Sequence, residues 1–168
     1  PYRWLEDDNS DETSLWVEAQ NEITFTYLEN IHQRNAIKER LTEIWDYEKV
    51  SAPFKRGEKY YFYKNEGLQN QSVLYSSDEL RGEEKVILDP NTFSEDGTVA
   101  LSGTYFNHEG NLLGYAKSIG GSDWKEFYIK DLSTGEDRKD HLQWIKFSGM
   151  AWAGDGFYYS RYPKPEEG

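Results

Sequence analysis

Ser122 is the residue of this chain that comes nearest to a catalytic nucleophile. It stands in Gly120-Gly121-Ser122-Asp123-Trp124. Hydrolytic serines occupy a Gly-x-Ser-x-Gly turn between a strand and a helix. Trp124 takes the place of the closing glycine, and no helical spacing follows it. The segment therefore reads as a hairpin loop and Ser122 as a turn residue. His32, His108 and His141 could act as bases or metal ligands, but they lie far apart, and none has a partner at a spacing such as His-x-x-x-His. Each reads as a surface residue. Carboxylates are abundant and are expected mainly in turns, Glu83-Glu84 and Asp137 to Asp140 among them, where a solvated face is the default. A Walker loop and a Gly-x-Gly-x-x-Gly stretch are both absent. Asn70-Gln71-Ser72 fits a glycosylation acceptor, a triplet that also arises by chance. Read from its residues alone, the chain shows no catalytic residue, no metal site and no cofactor motif.

Composition narrows the partners. A formal net charge of −12 argues against DNA or RNA, because phosphate binding needs clustered Lys and Arg. The acidity is read as serving solubility. Cysteine is absent, which excludes disulfides and thiolate-held metal without fixing the compartment. The compartment stays open between cytoplasm and periplasm, since the chain begins at Pro1 without Met and a leader could precede it. No apolar run approaches the ~20 residues of a membrane span, so no membrane partner is expected. At 168 residues the chain is long enough for about one domain with a real core. The 13 tyrosines suit strands that are buried on one side and wet at the tip.

The elements that must carry these residues are organised around Gly103-Thr104-Tyr105-Phe106-Asn107-His108-Glu109-Gly110-Asn111-Leu112-Leu113-Gly114-Tyr115. This stretch reads as two strands joined by a tight turn, with Asn and Gly supplying the positive φ of the corner. The design recurs 46 residues later, from Gly149 to Tyr159, and more loosely from Phe54 to Tyr63. A repeat of about 40–50 residues holding four short strands marks a β-propeller blade, and a β-sandwich built from similar hairpins is the alternative. Ahead of the strands, apolar spacing predicts a helix from Asp11 to Asn30 with Ser10 or Asp11 as its cap, and a second from Arg34 to Asp46. Both carry apolar stripes that must pack on something. Strands are expected at Tyr60 to Tyr63, Ser72 to Ser77, Lys85 to Leu88, Val99 to Phe106, Leu112 to Ser118 and Lys125 to Leu132. Further strands are expected at Gln143 to Lys146, Gly149 to Trp152 and Phe157 to Tyr162. The fold class is mainly β, with a helical segment at 1–49 and about two propeller blades at 50–168.

Several blocks also resemble one family closely. Pro1-Tyr2-Arg3-Trp4-Leu5-Glu6-Asp7, Trp16-Val17-Glu18-Ala19-Gln20-Asn21 and Gly67-Leu68-Gln69-Asn70-Gln71-Ser72-Val73-Leu74-Tyr75 are similar to the N-terminal portion of the prolyl oligopeptidases (prolyl endopeptidases), a family of serine peptidases. So are Leu88-Asp89-Pro90-Asn91, Asp96 to Leu101, Gly121-Ser122-Asp123-Trp124 and Phe147-Ser148-Gly149-Met150-Ala151-Trp152. The resemblance covers essentially the whole chain. It implies the first blades of a seven-bladed propeller that caps a C-terminal α/β-hydrolase domain. The two leading helices would pack on that domain. It implies a serine endopeptidase that cleaves short peptides after proline with a Ser-Asp-His triad in the C-terminal half. The propeller would admit only short peptides, and this chain alone would be inactive. Two site residues carry over: Phe147, as a wall of the hydrophobic specificity pocket, and Asp123, facing the cavity between the domains near a substrate-binding arginine of the other domain. Blade core is the rival reading for Phe147 and a turn cap for Asp123. The sequence departs from the pattern at Ser102, where the animal enzymes carry arginine, and at Asp155 to Phe157, where the turn is about two residues shorter. The functional alternative is a non-catalytic propeller-type binding module.

Overall fold

Ser10 begins the first helix by accepting a hydrogen bond at Oγ from the Thr13 N–H at 3.2 Å. That satisfies one of the free donors of the first turn, and Asp11 and Glu12 add negative charge at the positive end of the dipole. In the computed structural model, which describes residues 1–164, this helix (α1) spans Asp11–Glu29 and the next (α2) spans Arg34–Trp45. Both agree with their predicted spans to within a residue at the C-terminal end. A short 3-10 turn at Arg3–Glu6, unforeseen in the acidic lead-in, packs on α1. Thr13 Oγ1 donates to the Trp4 carbonyl at 3.0 Å, and the Trp4 and Trp16 rings meet edge to face at 6.2 Å. The apolar residues Leu15, Ile23 and Tyr27 of α1 and Ile37, Leu41 and Trp45 of α2 are all exposed.

The described residues divide into two units after Asp46. The second is built of antiparallel strands, with one 3-10 turn at Pro90–Thr92. Its first sheet contains β1 (Lys49–Val50), β2 (Phe54–Arg56), β3 (Lys59–Asn65), β4 (Val73–Ser77) and β5 (Lys85–Leu88), ordered β1-β3-β4-β5 with β2 also on β3. A second sheet runs β6-β7-β8-β9 in simple sequence: β6 (Val99–Phe106), β7 (Leu112–Ile119), β8 (Lys125–Asp131) and β9 (Asp137–Ile145). A hairpin of β10 (Ala151–Ala153) and β11 (Gly156–Tyr158) follows.

Strand β7 shows why its sequence is apolar on both faces. Leu112 and Ala116 project into one core cluster with Phe127, Ile129, Ile145 and Met150. Leu113 and Tyr115, one residue out of step, project into the other with Tyr61, Leu74 and Leu88 of the first sheet. Residues alternate across a strand, so a sheet sandwiched between two neighbours must be apolar at consecutive positions. Burying a side chain such as Leu113 stabilises by about 1.5–3 kcal/mol.

The turn from β6 to β7 is held from within. The buried Asn107 accepts at Oδ1 from the backbone N–H groups of Asn111 and Leu112, at 3.0 and 2.9 Å. The repeated glycines Gly103 and Gly149 share one neighbour. A Cβ on either would lie against the Tyr105 ring, at 2.7 Å from its oxygen and 3.1 Å from its edge respectively. The repeat is not exact at the turn: in the first copy Gly110 takes the positive φ, whereas in the second it is Gly154 and not Gly156.

One expectation fails outright. Asp137 to Asp140, read as a solvated turn, lies inside β9, which begins six residues before the expected start at Gln143. The run is charged because β9 is the outer edge of its sheet and exposed, and an edge tolerates charge and is guarded by it. The strand is tied to β8 by Lys130–Asp137 at 3.2 Å and by the stacked rings of Tyr128 and His141.

Candidate functional site

The loop between β7 and β8 and the connection from β9 to β10 meet at one edge of the second sheet. Gly120 and Gly121 turn the first with φ of 58° and 73°. Ser122 Oγ accepts from the Trp124 N–H at 3.2 Å, so the side chain capping this turn is Ser122 and not Asp123. Asp123 instead directs its carboxylate to Lys146 Nζ, 3.4 Å away. Lys146 Nζ also stands 5.4 Å from the Trp124 ring centroid and 5.2 Å from that of Phe147. The structure thus brings Asp123 and Phe147, 24 residues apart in sequence, onto the two sides of one lysine. Phe147 is 78% exposed and belongs to neither core cluster of the described residues.

The backbone here is unusual. Among the described residues, Trp144 and Phe147 are the non-glycine residues with positive φ, at 63° and 55°. Bulky side chains in the left-handed region are genuine outliers, costly unless their surroundings over-determine them, and they cluster at functional sites. Between the pairs Phe127↔Leu142 and Lys125↔Ile145, β8 advances two residues while β9 advances three. The extra residue makes a β-bulge, and bulges re-aim side chains at sheet edges. Trp144 is held by an edge-to-face contact with Trp124 and by its carbonyl, which accepts from the Tyr162 N–H at 2.9 Å. Tyr162 in turn meets Trp124 at 5.6 Å. Trp124, Trp144 and Tyr162 form an aromatic ledge behind Lys146, and a cleft of about 130 Å³ lined by Ile119, Trp124, Glu126 and Gln143 opens beside it.

Behind the cleft, Glu126 accepts hydrogen bonds from Tyr128 Oη (2.7 Å) and Gln143 Nε2 (3.0 Å), with His141 Nε2 at 2.9 Å. Partial burial pushes this carboxyl up, but the three partners together outweigh it and hold Glu126 below the usual carboxylate range. On the same face, opposite Glu126 in the β7–β8 ladder, Lys117 Nζ sits 4.1 Å from the Phe93 ring and 4.7 Å from that of Tyr128, where desolvation lowers its pKa.

The remaining sequence candidates do not converge. Ser122 has the turn role just described, while His141 is on β9 and engaged by Glu126. His32 is exposed, and His108 lies in the β6–β7 turn at the rim of an open groove of about 590 Å³ that Arg56, Tyr105 and Trp152 also line. Among the described residues no group of three His, Asp or Glu is arranged to hold a metal ion. Lys146 and the aromatic ledge were missed from sequence. The available signal was the crowding of Trp124, Trp144 and Tyr162 around a Gly-Gly turn, but nothing in spacing says that these three meet.

With this geometry in place, the comparisons with known proteins are specific. Residues 1–168, the whole chain, match the family model described as "Prolyl oligopeptidase, N-terminal beta-propeller domain". The chain belongs to the prolyl oligopeptidase family. It is 50% identical over 169 residues to a prolyl endopeptidase of Elizabethkingia miricola, covering 100% of this chain and 24% of that protein. To prolyl oligopeptidase A of Amanita bisporigera it is 36% identical over 188 residues, 97% of this chain and 24% of that one. Among solved structures, one from a study of two prolyl endopeptidases superposes with a TM-score of 0.90 at 31% identity, over 98% of this chain and 25% of the other. Prolyl oligopeptidase B of Galerina marginata, bound to a 35-residue hydrolysis and macrocyclization substrate, gives 0.84 at 31% identity over 99% and 26%. The chain therefore spans about a quarter of the length of the relatives it matches. Its two helices followed by antiparallel sheets are the N-terminal part of a prolyl oligopeptidase propeller domain, and β6–β9 form a four-stranded sheet of the kind expected for a blade.

Proposed function

We propose that this chain is the N-terminal part of a serine endopeptidase that hydrolyses short peptides after proline, and that it gates and lines the substrate cavity. The observation that carries this reading is the exposed Phe147 beside Asp123 and Lys146, on strained backbone at a blade edge. An aromatic ring presented to solvent on the connection just beyond an edge strand suits a pyrrolidine or other apolar side chain, as in grooves that recognise proline-rich segments. Residues 1–49 would belong structurally to the peptidase half, residues 50–168 to the propeller. The exposed stripes of α1 and α2 would be covered by a C-terminal α/β-hydrolase domain carrying the Ser-Asp-His triad. Phe147 would form the propeller-side wall of the specificity pocket, and Asp123 would face the cavity.

The test is expression of the full reading frame that contains this chain. A chromogenic Gly-Pro substrate should be cleaved, and a folded protein rich in proline should not. Failure to cleave after proline would leave a non-catalytic binding module, and equal cleavage of the folded protein would remove the gating role.

A further inference from the structure

We propose that Lys146 is a positioning residue that clamps Phe147 and cancels the charge of Asp123, so that the cavity wall accepts peptides without regard to their charge. This rests on the peptidase reading above. The clamp itself does not, because it is a statement about three side chains.

Phe147 combines two features that do not stabilise each other. Its φ of 55° is unfavourable for a bulky residue, and its 78% exposure leaves little burial to hold it there. Lys146 supplies what burial does not. Its side chain is 28% exposed against 64% for Asp123, so the ammonium is the better shielded half of the pair. Its Nζ lies between the faces of two rings from different connections, Trp124 at 5.4 Å and Phe147 at 5.2 Å. Both distances are within the ~6 Å over which a ring quadrupole attracts a cation. The same ammonium, 3.4 Å from Asp123, neutralises a carboxylate of this patch. Without Lys146, a mostly exposed negative charge would stand beside a surface meant for an uncharged ring.

The experiment uses the full-length protein and a matched pair of proline peptides, one bearing Glu and one Lys near the proline. In the parent protein the two should have similar KM. Lys146→Met keeps the stem and removes the charge. It should raise the KM of the Glu peptide relative to the Lys peptide by about three- to fivefold at low salt, and the difference should shrink at high salt. Values of kcat should stay within about twofold, since this contact is made in ground and transition states alike. Lys146→Arg should restore the parent ratio, and adding Asp123→Asn to Lys146→Met should abolish the selectivity. A ratio unmoved by Lys146→Met, or one that moves equally with Asp123→Asn present, would overturn the charge role. The clamp is read separately, without substrate, from the lysine ε-methylene protons, which two flanking rings shift upfield. The shift should fall in Phe147→Ala and in Trp124→Ala, and its absence in the parent would overturn the clamp. A parent that cleaves no proline peptide but shows the shift would overturn the peptidase reading and the charge role, and leave the clamp standing.

Discussion

Gly110 and Gly121 have the same φ and different surroundings, which makes them a matched pair. Each has φ of +73°. At Gly121 an added Cβ would meet nothing within 4 Å. At Gly110 it would lie 2.7 Å from Gly57 N and 2.9 Å from Arg56 C. Those atoms belong to the tip of the β2–β3 hairpin, so they are backbone of the neighbouring sheet and cannot rotate away. The contact is mutual: a Cβ on Gly57 would lie 2.7 Å from the Glu109 carbonyl oxygen. Alanine at either position incurs the left-handed cost of about 1–2 kcal/mol, partly offset by the reduced entropy of the unfolded chain. Gly121→Ala should therefore cost about 1 kcal/mol. Gly110→Ala adds overpacking between two turns, about 1–3 kcal/mol more. Native-state hydrogen exchange reads the difference locally. Amides of β2–β3 and of β6–β7 should both lose about ten- to a hundredfold more protection in Gly110→Ala than in Gly121→Ala. Equal effects of the two substitutions would show that the hairpin tips do not lock the sheets together, and loss confined to β6–β7 would show that the strain is absorbed within one hairpin.

Further outcomes follow from other contacts. Phe147→Ala in the full-length protein should raise KM for proline peptides with little change in kcat, a loss on the order of 1–3 kcal/mol read from steady-state kinetics. Unchanged KM would remove the ring from the substrate wall. Asn107→Ala should cost about 1–3 kcal/mol in urea unfolding, because it strips two backbone donors, at Asn111 and Leu112, of their acceptor. Glu126 is held below its unfolded pKa, so its stabilising contribution is present above the unfolded value of about 4.3 and is lost as pH falls through the folded one. Melting temperatures of Glu126→Gln and the parent should therefore differ at neutral pH and converge in acid, and a constant offset would refute the linkage.

Helix spans and most strands were legible because their signals are local. Ser10 ahead of Asp11 and Glu12 marks a cap, and apolar residues at helical spacing mark the two helices that follow. Asp137 to Asp140 misled because charge says only that a segment is wet, and the exposed edge of a sheet is as wet as a turn. Asp123 and Phe147 are candidates through motif resemblance, which does not mark their shared partner. Lys146 touches residues 22 and 23 positions back and one position on, and nothing in a linear pattern selects among the chain's lysines.

The bulge between Leu142 and Ile145 of β9 explains the position of the candidate site. Leu142 and Ile145 pack on the same core cluster, although an odd separation puts two residues on opposite faces of a regular strand. Only an inserted residue reconciles them, and Trp144, in left-handed conformation, lies within it. A period of two read through Gln143-Trp144-Ile145-Lys146 therefore assigns the wrong face to one half of the strand. The same insertion ends regular pairing at Ile145 and turns the chain so that Lys146 reaches back to Trp124 and Asp123 while Phe147 stands out. Backbone strain, aromatic ledge and exposed ring are in this sense one feature: the residue that keeps Ile145 in the core is the residue whose accommodation presents Phe147 to the solvent.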